Sequence, residues 1–232
     1  MTREVLTLHI QQIKDEVLLL GSMVEEATLR AVDALKQRDI EASRQLIEDD
    51  ILINEKRFAI ENAIIILIAT QQPMAHDLRL MAAILEVDSE LERMGDYAKG
   101  IAKTVIHLGD TQMGIPMREI ESMTEKAINM LHLALGTFIT ENAAQAYQIP
   151  KLDDEVDALY MKAYRMVVSS MIANPETIDH GNYIIWVLHN LERLADRVIN
   201  ICERTVFIAT GELLELASND EDDSEAGAET GE

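Results

Sequence analysis

The sequence LERMGD at residues 91–96 occurs again as LERLAD at residues 191–196. Upstream of each copy, DILIN at residues 50–54 corresponds to DDEVD at residues 153–157. Two matching segments in the same order, about 100 residues apart, indicate duplication of one supersecondary unit. The repeat therefore predicts a protein built from two copies of one fold.

Composition indicates that the repeated unit is helical. Hydrophobic residues make up 48% of the 232 residues but aromatic residues only 4%, and ten Gly and four Pro leave few turn-forming residues. The abundant Ala, Leu, Ile, Met and Glu favour helices over sheets. We therefore predict an all-α protein made of two tandem antiparallel three-helix bundles.

Helical periodicity extends over almost the whole chain and is interrupted at Pro and Gly positions. The predicted helices cover residues 4–36, 39–72, 74–108, 117–140, 143–173 and 174–210. In the last of these, Asn174 is the expected N-cap, Pro175 the first helical residue and Gly211 the C-terminal stop. The predicted domains are a first bundle at 1–108, a linker at 109–116, a second bundle at 117–217 and a tail at 218–232.

The tail differs in kind from the rest of the chain, because it has seven acidic residues, no basic residue and no large apolar side chain. Such a segment is predicted to be disordered. The whole chain carries a formal net charge of -22, which would repel a phosphate backbone. We therefore expect no direct nucleic-acid binding, and cations or basic protein surfaces as partners.

No segment is predicted to span a membrane. The longest apolar run, AIIILIA at residues 63–69, is far shorter than the roughly 20 residues that a bilayer requires. We interpret it as a helical segment buried on most sides. The single cysteine, Cys202, excludes an intramolecular disulfide and fits a reducing compartment.

A helical wheel places Glu92 and Asp96 off the apolar stripe of their helix and one turn apart on the same side, facing outward. Glu192 and Asp196 repeat this arrangement. Like charges at this spacing repel each other, and a bound cation would turn the repulsion into attraction. The repeated pairs therefore indicate a cation site in each half.

The second helix of each half supplies a matching pair. Asp50 and Asn54 lie one turn apart on the flank of its apolar stripe, and Asp153 and Asp157 repeat the pattern. If the flanks of neighbouring helices meet, four oxygen-bearing side chains converge in each half. Such ligands suit Mg, Mn, Ca or ferric iron.

Simpler explanations exist for single members of these sets. A solvated charged face, with Asp96 paired to Lys99, would account for one acidic pair, but two copies in register favour metal. His189 lies three residues before Glu192, yet the equivalent residue is Ser89, so we interpret His189 as an ordinary surface or interhelix histidine.

The chain closely resembles the PhoU family of phosphate-signalling regulators over residues 1 to about 213. The segments that carry this resemblance are QQPMAHDLR at 71–79, ELERMGD at 90–96, DDEVD at 153–157, NLERLAD at 190–196 and ATGE at 209–212.

The resemblance implies two three-helix bundles related by a pseudo-twofold axis, with metal clusters on the surface. It implies one metal site at Asp50, Asn54, Glu92 and Asp96 and another at Asp153, Asp157, Glu192 and Asp196, with iron, zinc, magnesium or manganese as the expected ions. It further implies a cytoplasmic, homodimeric regulator that works with the phosphate-specific ABC importer and a sensor histidine kinase, and that represses phosphate-starvation signalling and restrains uptake.

Two other classes of protein remain open from the residues alone. A ferritin-like oxidase would use the same carboxylates, but such enzymes project Glu and Glu-x-x-His ligands into the bundle interior, and no Glu-x-x-His occurs in either half. A purely structural scaffold would not explain the repeated acids. We therefore expect a non-catalytic regulator.

The repeated Arg93 and Arg193 could bind an anion, although pairing with neighbouring acids is the simpler interpretation.

Overall fold

The computed structural model describes residues 3–109 and 113–216, which form seven α-helices, two short 3₁₀ turns and no β-strand. The helices are α1 (Arg3–Gln37), α2 (Ile40–Gln71), α3 (His76–Leu108), α4 (Met117–Thr140), α5 (Ala143–Ala146), α6 (Asp153–Ala173) and α7 (Ile178–Thr210). The all-α prediction is confirmed. The predicted tail at 218–232 and the linker residues 110–112 lie outside the described residues.

Local sequence signals explain several helix ends. The Asp39 side chain accepts a hydrogen bond of 2.9 Å from the backbone N–H of Ala42, which caps the start of α2. At the end of α7, Gly211 adopts a left-handed conformation with φ of 84°, and its N–H donates to the carbonyl of Phe207. The predicted stop at Gly211 is therefore confirmed.

The prediction of one continuous helix over 143–173 is wrong. α5 covers only Ala143–Ala146, and the chain passes through a 3₁₀ turn at Pro150–Leu152 before α6 begins at Asp153. Pro150 is the physical reason, because it lacks a backbone N–H and its ring clashes with the preceding helical turn. As a result, Asp153 lies in the first turn of α6, where the helix dipole favours a negative charge.

The predicted start of the last helix also needs correction. Pro175–Thr177 forms a separate 3₁₀ turn, and α7 begins only at Ile178. The Asn174 side chain makes no capping hydrogen bond, although its carbonyl accepts one from the Thr177 hydroxyl. Asn174 and Pro175 therefore start a tight turn and do not start the helix directly.

Each repeat packs three long helices around an apolar interior. α1, α2 and α3 contact one another in the first repeat, and α4, α6 and α7 do so in the second. Leu91 and Leu191, from the repeated segment, are both fully buried. α3 and α7 form the most extensive helix pair and join the two bundles into one continuous core.

Contacts across the α3–α7 interface are reciprocal. Glu90 Oε2 of α3 accepts a hydrogen bond of 3.1 Å from Asn200 Nδ2 of α7. At the equivalent positions, Asn190 of α7 lies against Gly100 of α3, where an added Cβ would stand only 3.2 Å from Asn190 Nδ2. Reciprocal contacts between equivalent positions are the pattern of a twofold arrangement, so an approximate twofold axis relates the repeats.

The interpretation of residues 63–69 as buried on most sides is wrong. Ile64 and Leu67 are buried, but Ile65 and Ile66 are 54% and 53% exposed. The reason is that α2 packs against α1 and α3 and leaves its outer face uncovered. The exposed large apolar side chains of this outer face are Ile51, Leu52, Phe58, Ile65 and Ile66. Even so, no helix within the described ranges has the length and apolarity needed to cross a membrane.

A largely buried ion pair joins the two repeats. Lys14 Nζ of α1 donates to Glu141 Oε1, just after α4, at 2.7 Å and to the carbonyl of Ile139 at 3.0 Å. Glu141 Oε2 lies 2.6 Å from His76 Nε2 at the start of α3. Burial opposes ionisation of Glu141, but the Lys14 hydrogen bond and charge hold its pKa below the usual range.

We expect Glu141→Gln to lower the free energy of unfolding by about 2 kcal/mol, because it leaves the largely buried Lys14 ammonium without its counter-charge. Urea denaturation followed by circular dichroism measures this change. Glu121→Gln is the matched control, since it removes the exposed Lys36–Glu121 pair and should cost less than about 0.5 kcal/mol. Equal losses in the two variants would contradict the prediction.

Candidate metal centre

Two sets of oxygen-bearing side chains occupy equivalent places in the two repeats. The first acidic cluster consists of Asp50 and Asn54 of α2 with Glu92 and Asp96 of α3, and the second acidic cluster consists of Asp153 and Asp157 of α6 with Glu192 and Asp196 of α7. Within each helix the two members are four residues apart and therefore lie on one face.

A close helix contact brings the two halves of the first acidic cluster together. A Cβ added to Gly95 would lie 3.0 Å from Ile53 Cδ1, so α2 and α3 approach closely at this level. Gly95 directly precedes Asp96, and Ile53 directly precedes Asn54. The two pairs consequently meet at the same height of the bundle, as the sequence predicted for adjacent flanks.

The members of the clusters differ in burial. Asp96 and Asp196 are exposed, in agreement with the predicted outward orientation, whereas Glu92 and Glu192 are only partly exposed and depart from it. Asp50 and Asp153 are buried, with exposed fractions of 6% and 2%. A helical wheel places these two residues on the flank of their own helix, but the neighbouring helix packs over that flank and removes it from water.

The first acidic cluster contains its own cation. Lys99 Nζ donates a hydrogen bond of 2.6 Å to Asp50 Oδ2 and lies 3.9 Å from Asp96 Oδ1. Asn54 Nδ2 donates to Asp50 Oδ2 at 3.2 Å. The pKa of Glu92 is raised by burial and by the charge of Asp96. The predicted Asp96–Lys99 pair is therefore real but secondary, because the main partner of Lys99 is the buried Asp50.

The second acidic cluster holds four carboxylates that repel one another. The pKa of Asp153 is raised to about 7, first by burial and then by the negative charges of the other three cluster members. The pKa of Glu192 is likewise raised to about 7 by burial and then by Asp196 and Asp157. These mutual effects indicate that the four carboxylates lie near one another.

Two buried oxygens of this cluster lack a hydrogen bond. Asp153 Oδ1 and Glu192 Oε2 have no hydrogen-bond partner among the described residues. His189 Nδ1 lies 3.1 Å from Glu192 Oε2, as an ion-pair contact without hydrogen-bond geometry. An unpartnered buried carboxylate oxygen is costly, so the donor set of the second acidic cluster fits a cation better than that of the first.

The side chains are not already arranged around a common point. Within the described parts of the chain, no three or more His, Cys, Asp or Glu residues are grouped so that they could hold a metal ion as they stand. Ionised carboxylates without a cation repel and turn apart. Metal binding at either cluster therefore stays a prediction, and it requires the carboxylates to turn towards one another.

The sequence analysis missed an arginine network beside the clusters. Arg197 Nε donates to Tyr97 Oη at 3.2 Å, and its Nη1 lies 3.4 Å from Glu90 Oε2. The Arg193 guanidinium lies 4.7 Å from the centre of the Tyr97 ring, and Arg93 donates to Glu90 Oε1 at 3.1 Å. Both repeated arginines thus contact protein groups. Tyr97 and Arg197 occupy equivalent positions of the two repeats. This equivalence is the sequence signal that could have indicated the contact.

The sequence matches the PhoU domain family twice, over residues 17–105 and 120–205. The chain belongs to the PhoU family. The two matched stretches are the two helical repeats, one in each bundle.

Relatives with similar sequences match nearly all of this PhoU-family chain. A protein of Clostridium acetobutylicum named phosphate-specific transport system accessory protein PhoU homolog is 32% identical over 217 residues, which are 93% of this chain and 99% of that protein. The phosphate-specific transport system accessory protein PhoU of Escherichia coli K12 is 31% identical over 213 residues, 92% of this chain and 88% of the relative.

Solved structures agree with the fold. The phosphate transport system regulatory protein PhoU of Streptococcus pneumoniae superposes with a TM-score of 0.84 at 33% identity, covering 91% of this chain and all of that one. PhoU of Pseudomonas aeruginosa superposes with a TM-score of 0.80 at 31% identity, covering 89% of this chain and 99% of that one. The Clostridium acetobutylicum and Escherichia coli relatives are named as accessory proteins and the Streptococcus pneumoniae protein as a regulatory protein, and none of them as an enzyme, which agrees with the expectation of a non-catalytic protein. The family match gives no support to a ferritin-like oxidase.

Proposed function

We propose that this PhoU-family chain is a non-catalytic, metal-binding regulator of phosphate uptake and phosphate-starvation signalling. It acts in the cytoplasm, as a homodimer, as an adaptor between the phosphate-specific ABC importer and a sensor histidine kinase. The observation that carries the proposal is the near-complete match, in both repeats and in fold, to proteins named as accessory or regulatory components of phosphate transport.

Two surface properties support an adaptor role. The outer face of α2 exposes five large apolar side chains, each at least half exposed, and exposed apolar side chains grouped on one helix face favour a protein-binding role. The net charge of -22 favours partners with basic surfaces and speeds their association. A regulator that docks on an importer and on a kinase needs surfaces of both kinds.

The metal-binding part of the proposal is supported by the second acidic cluster. Asp153 and Glu192 each have a buried oxygen without a hydrogen bond, and Asp157 and Asp196 add negative charge beside them. A bound cation would neutralise these carboxylates and fix α6 against α7. Iron, zinc, magnesium and manganese are the candidate ions, and the structural role needs no redox chemistry.

Deletion of this protein in its native host should raise phosphate uptake and switch on a phosphate-starvation reporter in phosphate-rich medium, because the restraint on importer and kinase is lost. Uptake of labelled phosphate and reporter activity measure the two effects. The full chain supplied from a plasmid is expected to restore both. A deletion strain with wild-type uptake and a silent reporter would contradict the regulatory role.

Affinity capture separates the adaptor from an indirect regulator. The tagged full chain, at native expression level, should enrich importer subunits and the kinase from solubilised membranes, and a tag-only strain is the control. Capture of neither component would contradict the adaptor role even if the deletion phenotype is found. Oxygen consumption by the iron-loaded protein above that of free iron would instead indicate an oxidase.

A further inference from the structure

The repeats differ at three equivalent positions around their acidic clusters. The first repeat has Asn54, Arg57 and Lys99, where the second repeat has Asp157, Tyr160 and Ile199. The first acidic cluster therefore combines three carboxylates with two positively charged neighbours. The second has four carboxylates and neither of these cations. Two sites that arose from one duplicated unit thus carry very different charge.

Lys99 occupies the place that a cation would take in the first acidic cluster. Its ammonium is 2.6 Å from the buried Asp50 Oδ2 and 3.9 Å from Asp96 Oδ1, so it contacts carboxylates of both helices. Asn54 supplies a second donor to the same Asp50 oxygen. The buried negative charge of this cluster is already neutralised within the protein, and a metal ion would have to displace Lys99.

No lysine or arginine among the described residues forms an ion pair with the buried Asp153 of the second acidic cluster, while His189 Nδ1 lies 3.1 Å from Glu192 Oε2. Asp153 is 2% exposed, and its buried Oδ1 lacks a hydrogen-bond partner among the described residues. Ile199 cannot replace the lysine. Arg197 is directed to Tyr97 and Glu90 across the α3–α7 interface. A buried carboxylate in this situation is strongly stabilised by an external cation.

We propose that the two repeats divide these roles: Lys99 is the built-in cation of the first acidic cluster, and a divalent metal ion binds at the second acidic cluster alone. This inference rests on the metal binding in the proposed function and specifies where it takes place. All-oxygen carboxylate ligands select a hard cation, so the ligand class is Mg²⁺ or Mn²⁺. A lysine would then neutralise the acidic cluster of the first repeat, and a metal ion that of the second.

Manganese titration of the chelator-treated full chain tests the proposal, with bound metal measured by elemental analysis and free Mn²⁺ by electron paramagnetic resonance. We expect Asp153→Asn to weaken Mn²⁺ binding by about tenfold or more, because it removes a buried ligand. Asp154→Asn, on the adjacent exposed residue, is the matched control. Asp50→Asn is expected to leave Mn²⁺ binding unchanged.

Two exchanges between the repeats complete the test. Ile199→Lys should block Mn²⁺ binding by supplying the second acidic cluster with its own ammonium. Lys99→Met combined with Asn54→Asp should double the bound Mn²⁺, because it removes the lysine from the first acidic cluster and adds a fourth carboxylate there. Circular dichroism and a thermal melt of each variant show whether it folds, and Mn²⁺ should raise the melting temperature of wild type but not of Ile199→Lys.

The outcomes separate the two proposals. Wild type that binds no Mn²⁺ and no Mg²⁺ would overturn the metal-binding part of the proposed function and this inference with it. Binding that falls equally in Asp50→Asn and Asp153→Asn would overturn the division of roles while leaving metal binding intact. Unchanged stoichiometry in the Lys99→Met, Asn54→Asp variant, when folded, would overturn the assignment of Lys99 as a built-in cation.

Discussion

Leu191→Ala should lower the free energy of unfolding by about 3 kcal/mol, whereas Glu192→Gln at the next position should not lower it in metal-free buffer. Leu191 is fully buried between α7 and its neighbours, so truncation loses apolar burial and leaves a cavity. Glu192 is part of the second acidic cluster, and its replacement removes one of four mutually repelling carboxylates. Urea denaturation monitored by circular dichroism gives both values.

Leu91→Ala is the matched control for the first repeat. Leu91 is equally buried at the equivalent position of α3, and its loss should be within about 1 kcal/mol of that for Leu191→Ala. If Glu192→Gln were more destabilising than Leu191→Ala, the repeated segment would owe its stabilising effect to the carboxylate. That result would contradict the assignment of Leu to the core and Glu to the cation site.

Asp88→Asn should make the stability of the protein less sensitive to a rise in pH from about 4 to 7. Asp88 is 1% exposed, and its Oδ2 has no hydrogen-bond partner among the described residues. Its pKa is raised from 3.8 to about 7 by burial, which outweighs the opposing charge of Arg57. The equivalent residue of the second repeat is the fully buried Leu188, so this place in the bundle accepts a side chain without charge.

The raised pKa of Asp88 makes the folded protein less stable as the pH rises. The unfolded chain ionises Asp88 near pH 4, whereas the folded chain holds the proton to about pH 7, so folding takes up a proton in this window. Stability is therefore lost as pH rises from 4 to 7, by up to about 1.4 kcal/mol per pH unit for this group. Above pH 7 the loss levels off.

We expect Asp88→Asn to gain less than about 1 kcal/mol relative to wild type at pH 4.5 and about 3 kcal/mol at pH 8. Urea denaturation at a series of pH values, with equal ionic strength, measures the difference. A gain that is the same at both pH values would mean that the substitution acts through packing and not through ionisation.

Much of the helical architecture could be predicted because it depends on residues close together in sequence. The repeated Leu of LERMGD and LERLAD was placed in the core by its 3.6-residue periodicity. Gly211 was placed at the end of α7 because glycine readily adopts the left-handed conformation that ends many helices, and the structure shows this conformation. The error at residues 143–173 was also local, because Pro150 carried the signal of a break and periodicity on both sides concealed it.

The exposed Ile65 and Ile66 could not be predicted in this way. Their burial depends on how many helices surround α2, and in this fold α1 and α3 cover it on one side only. Apolar residues in a helix indicate a core position only when another element lies against them.

The sequence by itself determined the duplication, most of the helices and the four oxygen-bearing positions of each acidic cluster, because all of these follow from spacing along the chain. Only the tertiary structure decided that Asp50 is buried against Lys99, 49 residues away on another helix, while Asp153 has no such partner in the part of the chain that the structure describes. Periodicity gives the direction of a side chain on its own helix but not the side chain that the neighbouring helix brings to it. That partner decides whether a buried carboxylate is already neutralised or still needs a cation.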